Sequence, residues 1–457
     1  MLPQVLPNVL AMIGNTPLVA VRGFDTGPCQ LFLKLENQNP GGSIKDRIGL
    51  SMIETAEHEG RISPGATLIE ATAGNTGLGL ALVAGRKGYR LLLVIPDKMS
   101  QEKIFHLKAM GADVILTRSD VTKGHPEYYQ DRAAALAREI PGSFYVSQFT
   151  NEANPRAHEQ GTAPEIWEQM ERRLDAVVCG VGSGGTLTGL SRHFARVAPA
   201  VDIVLADPLG SILAGYVRTG RAEAVERSWL VEGIGEDFIP PVCDLSRVRH
   251  AYTIPDEESM RTCRELLAKE GILAGTSSGT LLAAALRYCR EQKRPKRVVS
   301  LVCDSGNKYL SKAYNDYWML DQGFIRREQF GDLRDLIARR HWEQAAVTVN
   351  AGESALAAYR RMKLYDVSQL PVMRDGHIAG IVDEEDVLLK VFGQPGRFNE
   401  PVESVMQSKL VTVAPDAPLE RLLEIFKAGM VALVVERGEF LGLITRIDLL
   451  NYLRRRM

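Results

Sequence analysis

Between residues 65 and 305, short apolar runs alternate with helix-like stretches, and this alternation constrains the fold more than any other feature of the chain. The runs are continuously apolar, as expected for parallel strands that are covered on both sheet faces. Each run is followed by a turn rich in glycine, proline or polar residues and then by a helical pattern, which predicts an α/β fold with mostly parallel sheet. The predicted strands are 67–71, 91–96, 113–117, 175–180, 202–207 and 298–304.

The C-terminal part of the chain contains an internal repeat. One copy starts with VTV at Val347 and the other with VTV at Val411, and each shows a strand, a helix, two further strands and a short acidic helix. Two such copies are expected to pack together, because one copy cannot cover its apolar face alone. The charged stretch before them lacks strand signals and is predicted to be a linker. The predicted divisions are a domain at 1–325, the linker at 326–342, and repeats at 343–399 and 400–457.

Composition and charge argue against several classes of function. The chain has 55 basic and 56 acidic residues and a net charge of −1, so bulk charge indicates neither a nucleic-acid partner nor a membrane surface. No apolar run approaches the roughly 18 residues of a membrane span, and the N-terminus lacks a secretory pattern. Six scattered cysteines predict reduced thiols in a cytoplasmic protein. The histidines are dispersed, and no metal site is expected.

Two short segments carry residues suited to catalysis and anion binding. In NPGGSIKDR, Lys45 follows two glycines at a predicted helix start. The positive end of the helix dipole, together with desolvation, lowers the pKa of such a lysine and favours a nucleophilic neutral amine. The segment TAGNTG at 72–77 follows a predicted strand, and its outward backbone N–H groups suit a carboxylate. Taken singly, a surface lysine and an ordinary strand–helix turn remain open explanations.

Two further segments are rich in glycine and hydroxyl residues. GVGSGGT at 180–186 matches G-x-G-x-x-G. No acidic residue closes the next strand as in a dinucleotide site, so a more general phosphate cradle is predicted. GTSSGT at 275–280 offers hydroxyls that can approach a flat ring, and a helix N-cap is the open alternative. A lysine, a carboxylate-binding turn, a phosphate cradle and a ring-edge hydroxyl are together what a pyridoxal phosphate enzyme requires.

With IGNTPL at 13–18, these motifs resemble the fold-type II pyridoxal-phosphate family, which includes cystathionine β-synthase and O-acetylserine sulfhydrylase. The resemblance implies a core of two parallel-sheet subdomains and pyridoxal 5'-phosphate as cofactor. It assigns Lys45 to the covalent bond with the cofactor, Asn75 to the ring hydroxyl and Ser277 to the pyridine nitrogen. The phosphate is assigned to Gly182, Ser183, Gly184, Gly185 and Thr186.

The resemblance also implies the substrates. The loop VEGIGEDFIP at 231–240 and the C-terminal repeat favour cystathionine β-synthase over the sulfhydrylase. The implied reaction replaces the serine hydroxyl by the thiol of homocysteine to give cystathionine, and cysteine as first substrate would release hydrogen sulfide. Open alternatives are a cysteine synthase that uses O-acetylserine and a catalytically silent adenylate sensor. The implied substrate-binding residues are Thr72, Ala73, Gly74, Thr76, Gln148, Gly233 and Glu236.

Two residues depart from the family pattern. Ala73 stands where serine is usual, and Glu236 stands where animal synthases carry tyrosine. We hypothesise that an anionic Glu236 contacts the amino group of the second substrate, with a solvent-facing acid as the alternative. The chain starts close to the catalytic core, without the cysteine- and histidine-bearing extension that binds haem in animal enzymes, so no haem is expected.

The C-terminal repeat resembles the paired regulatory CBS repeats, or Bateman module, which bind adenosine nucleotides. Thr445 and Asp448 match the T-x-x-D pattern whose aspartate holds ribose hydroxyls, and Asp383 and Asp386 occupy the parallel place in the first copy. The expected ligand is S-adenosylmethionine or an adenine nucleotide, and a role limited to holding oligomers together remains open. The family resemblance also implies a homodimer or a higher homo-oligomer.

Overall fold

A computed structural model gives the fold of the protein. It describes residues 5–72, 74–97, 99, 101–122, 124–223 and 228–454. The chain divides into two compact units, of which the first reaches to Tyr314 and the second starts at Asn315. None of the helices within the described ranges is long and apolar enough to cross a bilayer.

The first unit contains two sheets with helices packed on them. Its strands, β1 to β10 in chain order, are Leu18–Ala20, Gln30–Leu35, Thr67–Ala71, Arg90–Pro96, Asp113–Thr117, Ser143–Tyr145, Ala176–Cys179, Asp202–Pro208, Val248–Ile254 and Arg297–Val302. Its helices, α1 to α10, are Lys45–His58, Asn75–Lys87, Gln101–Ala109, Tyr129–Glu139, Ala153–Ala157, Ala163–Gln169, Gly185–Val197, Leu213–Thr219, Asp256–Glu270 and Thr276–Arg290. A π-helical turn at His158–Thr162 joins α5 to α6.

The two sheets of the first unit are almost entirely parallel. One has the strand order β1-β2-β10-β7-β8-β9 and the other β5-β4-β3-β6. The exception is β1, which pairs antiparallel with β2. Strands β7 and β8 are buried at every residue, as the continuously apolar runs predict, because helices such as α7 and α10 pack on this sheet. The prediction of an α/β fold with mostly parallel sheet is confirmed.

Helices α1 and α2 touch backbone to backbone, and this contact positions the start of α1. A Cβ atom at Gly79 would lie 2.7 Å from the carbonyl oxygen of Lys45. A Cβ atom at Gly49 would lie 2.8 Å from the carbonyl carbon of Gly79. Since a side chain has no room at either place, two glycines on facing helices allow the approach. Around them, Ile48 and Leu80 are fully buried in the core against the smaller sheet.

The second unit contains the two predicted repeats. Each runs strand, helix, hairpin and helix, as predicted, and each forms a three-stranded sheet, β11-β12-β13 or β14-β15-β16. The strands β11 to β16 are Val349–Asn350, Gln369–Arg374, His377–Asp383, Thr412–Val413, Ala432–Glu436 and Glu439–Ile444. The helices α11 to α15 are Asp316–Asp321, Ala355–Tyr365, Glu384–Val391, Leu419–Lys427 and Arg446–Arg454.

Part of the segment expected to be a linker belongs to the core of the second repeat. Leu333, Leu336 and Ile337 are almost completely buried and pack in one cluster with Leu422. The backbone N–H of Leu333 donates to the carbonyl of Pro415 at 2.9 Å. Periodicity does not reveal this role, because a single 3-10 turn is too short to show an apolar repeat.

Candidate functional site

The ends of parallel strands from both sheets of the first unit meet at one cavity of about 260 Å³, here called the central cavity. The loops that follow β3, β7 and β10 all reach it, as expected for the carboxyl edge of parallel strands. Of the predicted cofactor and substrate residues, Gly185 is outside its lining and Ala73 lies outside the described residues. The predicted residues that line it are Lys45, Thr72, Gly74, Asn75, Thr76, Gln148, Gly182, Ser183, Gly184, Thr186, Gly233, Glu236 and Ser277.

Lys45 is the first residue of α1, and its side chain lines the central cavity. Burial lowers the pKa of its ammonium group, against the opposing influence of Cys303, Asp304 and Glu236. A lowered pKa increases the fraction of neutral amine, which is the form that bonds to an aldehyde. The position of Lys45 at a helix start had already predicted a lowered pKa. In the structure, burial is the largest cause of that lowering.

The glycine-rich turn between β7 and α7 is closely packed and leads directly into a helix N-terminus. Gly184 has a φ of +93°, a conformation that other residues rarely adopt. A Cβ atom at Gly182 would lie 2.5 Å from the carbonyl oxygen of Gly233, and one at Gly185 would lie 1.9 Å from Oδ1 of Asn154. Because no side chain fits here and α7 starts at Gly185, the turn is built to receive an anion such as phosphate.

Buried His158 supports this turn from behind. Its Nδ1 lies 2.9 Å from Oγ1 of Thr162, and its Nε2 lies 3.2 Å from Oγ1 of Thr186. Burial lowers the pKa of His158 well below its ordinary value, so the ring is neutral and can hold the Thr186 hydroxyl in place. Sequence reasoning missed this residue, since nothing in the spacing of the dispersed histidines distinguishes it.

The turn after β3 and Gln148 come together as one polar group. Oγ1 of Thr72 accepts from the N–H of Gly74 at 3.1 Å, and Oγ1 of Thr76 donates to Oε1 of Gln148 at 2.7 Å. Behind them, buried Glu70 accepts from the backbone N–H of Gln148 at 3.0 Å, and burial raises its pKa to about 7. Glu70 was missed, although an acid inside the apolar run TLIEA was a signal for it.

The side-chain amide of Asn75 is held at both ends. Its Nδ2 donates to Oδ2 of Asp304 at 2.8 Å, and its Oδ1 accepts from Nζ of Lys308 at 2.5 Å. The hydroxyl of Tyr309 also donates to Oδ2 of Asp304, at 2.8 Å. Sequence reasoning passed over Asp304, although its place just after β10, at the carboxyl end of a parallel strand, marks such positions for ligand binding.

Ser277 and Cys303 both belong to the lining of the central cavity. Burial raises the pKa of the Cys303 thiol to about 12, and the nearby Ser277 hydroxyl opposes this shift only slightly. The thiol is therefore neutral at physiological pH and is a weak nucleophile. Both residues line the central cavity, so Ser277 is placed where a hydroxyl can meet the edge of a bound ring.

Glu236 also lines the central cavity. Burial raises the pKa of its carboxyl group to about 8, and the neighbouring Asp237 adds to the effect. The carboxyl group is therefore mainly protonated at neutral pH. The hypothesis from sequence took Glu236 as anionic, whereas desolvation favours the neutral carboxyl group and so opposes that charge.

In the second unit, residues of both repeats line a cavity of about 530 Å³, here called the repeat cavity, and Thr445 and Asp448 are among them. Oδ2 of Asp448 accepts from the backbone N–H and from Oγ1 of Thr445, at 2.7 and 2.6 Å. Asp386 is not part of this lining. Its carboxylate instead accepts from Nε2 of Gln407 at 2.9 Å and from the N–H of Asp383 at 3.0 Å.

A buried lysine, an anion-binding turn and hydroxyl groups around one cavity fit a phosphorylated aldehyde, and they define the class of protein as a pyridoxal phosphate enzyme. The model of the family described as pyridoxal-phosphate dependent enzyme matches residues 9–304. The model of the CBS domain matches residues 340–393 and 402–455. Within the described residues, no group of three or more histidine, cysteine, aspartate or glutamate side chains is placed to hold a metal ion.

Similar proteins identify the family within the class of pyridoxal phosphate enzymes. Cystathionine β-synthase of Dictyostelium discoideum is 37% identical over 465 residues, which cover 98% of this chain and 92% of that protein. An O-acetylserine dependent cystathionine β-synthase of Bacillus subtilis is 39% identical over 67% of this chain and 97% of its own length. The crystal structure of a hydrogen sulfide-producing enzyme of Fusobacterium nucleatum has a TM-score of 0.62 and 37% identity, covering 67% of this chain and all of that one. The chain belongs to the cystathionine β-synthase family of pyridoxal phosphate enzymes with paired CBS domains.

Proposed function

We propose that this protein replaces the hydroxyl group of serine by the thiol of homocysteine and so forms cystathionine. The observation that carries the proposal is similarity over nearly the full length to a cystathionine β-synthase, catalytic unit and repeats together. The central cavity supports it, because a buried amine, a polar turn suited to a carboxylate and an anion-binding turn line the same small space.

The residues at the cavity fit the cofactor that the family requires. Lys45 would bond to it, the turn from Gly182 to Thr186 would hold its phosphate, and Ser277 would meet its pyridine nitrogen. Asn75 would face the ring hydroxyl, since an amide nitrogen has two N–H donors and Asp304 takes one of them. Bound pyridoxal phosphate supplies an electron sink for the charge left when the α-proton is removed.

The protein side chains move the protons and orient the substrate. Nζ of Lys45 takes the α-proton of serine and then delivers a proton to the departing hydroxyl group. Thr76 and Gln148, already joined by a hydrogen bond of 2.7 Å, hold the carboxylate of serine together with the backbone N–H groups at the start of α2. This anchoring points the α-hydrogen at one fixed base, which is how a cavity of this kind converts binding into rate.

The proposal is tested by product formation with serine plus homocysteine. We expect cystathionine as the main product, at a higher kcat/KM than cysteine formation from O-acetylserine plus sulfide. The second pair is included because the Bacillus subtilis relative is O-acetylserine dependent. A third reaction, cysteine plus homocysteine, is expected to release hydrogen sulfide, the product of the Fusobacterium nucleatum relative. A protein that makes cysteine alone, or no product from any pair, would contradict the proposal.

Glu236 is expected to give the binding of homocysteine a pH dependence. Its carboxyl group is neutral below and anionic above a pKa of about 8, and the anion attracts the ammonium group of an amino acid. The ratio of KM for homocysteine between Glu236→Gln and the wild type should therefore rise from about one at pH 7 to about threefold to tenfold near pH 9. The measurement is KM at both pH values, with KM for serine as the internal control. A ratio that does not change with pH would exclude this role.

We further propose that the repeat cavity binds an adenosyl ligand, either S-adenosylmethionine or an adenine nucleotide. Its volume of about 530 Å³ is in the range of small-molecule sites. Asp448 lies in its lining, and Thr445 holds this carboxylate in a defined orientation. A carboxylate so oriented is the group that would accept from the two hydroxyls of a ribose.

Asp448→Ala is expected to weaken binding of the adenosyl ligand by about tenfold or more, since it removes a charged acceptor. The matched control is Asp386→Ala, which removes the corresponding aspartate of the first repeat and lies outside the repeat cavity. Calorimetric titration with S-adenosylmethionine and with an adenine nucleotide measures both variants. Absence of heat with either ligand in the wild type, or equal losses in the two variants, would contradict the assignment.

A further inference from the structure

A second, larger cavity of about 910 Å³ adjoins the central cavity and is here called the vestibule. Gly74, Asn75 and Gly233 line both cavities. Most of the remaining vestibule lining comes from the turn at 37–42, from α3 and from the segment 305–311, and Leu78, Met110 and Glu232 complete it. An amino acid that reaches the central cavity from the vestibule therefore passes the side chain of Asn75.

The charged groups of the vestibule are not equally available to a ligand. The carboxylate of Glu232 is paired with Lys103 and, at 2.7 Å, with Lys312. Burial lowers the pKa of His106, so its ring is neutral at physiological pH. Lys308 is the remaining charged side chain in the lining of the vestibule.

Lys308 has no anionic partner at contact distance. Its Nζ donates to the amide oxygen of Asn75 at 2.5 Å, and no carboxylate within the described part of the chain lies within the 4.0 Å of an ion pair. An ammonium group has three donors, so two remain for a ligand. A Cβ atom at Gly42 would lie 4.0 Å from this nitrogen, which places the ammonium group beside the glycine turn at 41–42.

The proposed reaction brings together two amino acids, and each carries a carboxylate. The turn at 72–76 with Gln148 can hold one of them, that of serine. The carboxylate of the second substrate needs its own cation, because burying an unpaired carboxylate is costly. Burial lowers the pKa of Lys308, and the carboxylates of Asp304 and Asp46, which lie beyond ion-pair distance, oppose this shift. A substrate carboxylate in direct contact would favour the charged ammonium form further.

We propose that Lys308 binds the carboxylate of the thiol-bearing second substrate and thereby selects amino-acid thiols over thiols without a carboxylate. This inference rests on the proposed β-replacement reaction. Lys308 is then a specificity residue at the mouth of the central cavity, and its hydrogen bond to Asn75 connects the site of the second substrate to the residue that faces the cofactor ring.

The test compares two acceptors, homocysteine and 3-aminopropane-1-thiol, which is homocysteine without its carboxylate. Lys308→Gln removes the positive charge and keeps an N–H donor for Asn75. We expect its kcat/KM for homocysteine to fall by about tenfold or more, since a charge-assisted bond is lost. Its kcat/KM for 3-aminopropane-1-thiol should stay within about twofold of the wild type, a change of well under 1 kcal/mol. Lys308→Arg should retain most of the preference for homocysteine, and Lys293→Gln, at an exposed lysine of the same unit, should change neither acceptor.

The possible outcomes separate this inference from the proposed function. Equal losses with both acceptors would show that Lys308 only positions Asn75, and unchanged kinetics with both would show no role in binding; either result overturns the inference. The absorption spectrum of Lys308→Gln before and after addition of serine supplies a readout independent of turnover, and we expect it to match the wild type. A wild-type protein that couples neither thiol to serine would instead contradict the proposed function itself.

Discussion

Lys45→Ala is expected to lose the absorption band of the lysine-bound cofactor, above about 400 nm, and at least about a thousandfold in kcat. The reason is that one nitrogen has two tasks, attachment of the cofactor and movement of the proton. Burial lowers the pKa of this amine, and no water molecule in its place would have both the position and the basicity. The measurements are the visible spectrum and the initial rate with serine plus homocysteine.

The matched control is Lys293→Ala, which removes an exposed lysine of the same unit. It should keep both the spectrum and the rate. A Lys45→Ala protein that retained the band together with most of its turnover would show that another residue holds the cofactor. Loss of the rate with the band intact would confine the role of Lys45 to proton movement.

Gly185→Ala is expected to weaken cofactor binding by about 10- to 100-fold. The added methyl group would lie 1.9 Å from Oδ1 of Asn154, and forcing an extra carbon into a packed site costs about 1–3 kcal/mol. If Asn154 moved away, it would lose two hydrogen bonds. Its Nδ2 donates to the carbonyl of Gln148 at 2.8 Å and to Oγ of Ser183 at 2.9 Å. The strain therefore reaches both the anion-binding turn and the residue proposed to hold the serine carboxylate.

The dissociation constant of pyridoxal phosphate, measured by titration of the cofactor-free protein, tests this expectation. Gly215→Ala is the matched control, since Gly215 lies in helix α8 and an added Cβ atom there meets nothing within 4 Å. In a helix interior this change is expected to stabilise by about 0.5–1 kcal/mol. Equal affinities in Gly185→Ala and the wild type would mean that the turn relaxes freely and that its close packing does not matter for binding.

Much of the fold was predictable because its signals are local. The runs at 67–71 and 113–117 were predicted as strands and have the same bounds in the structure, Thr67–Ala71 and Asp113–Thr117. Continuous burial on both faces leaves an apolar run that is visible without any knowledge of its neighbours. The repeat was equally visible, because two copies of one pattern follow each other along the chain. Leu333 was missed for the opposite reason, since it is buried in a cluster with helices and strands of the second repeat that come later in the sequence.

The residues of the candidate site also fall into two groups, those with a local sequence signal and those that depend on distant contacts. Residues that sit in glycine-rich turns after strands, such as Asn75 and Gly184, carry their signal in the adjacent sequence. Asp304, Lys308 and His158 act through partners that are 28 to 233 positions away in the chain. No spacing rule connects such pairs, because the carboxyl ends of parallel strands become neighbours when the sheet forms.

The amino-acid sequence by itself determined the fold class, the position of the repeats and the residue types of the cavity, because periodicity and turn chemistry act between neighbours in the chain. The tertiary structure decided the pKa values, and so the protonation states, of the titratable residues among them. Burial lowers the pKa of Lys45 and raises that of Glu236 to about 8. The tertiary structure also decided how the two lysines of the vestibule are paired. Lys103 forms an ion pair with Glu232, whereas Lys308 donates to the amide of Asn75 and forms no ion pair with a carboxylate among the described residues. Desolvation and ion pairing depend on everything packed around a group, and that environment exists only after the chain has folded.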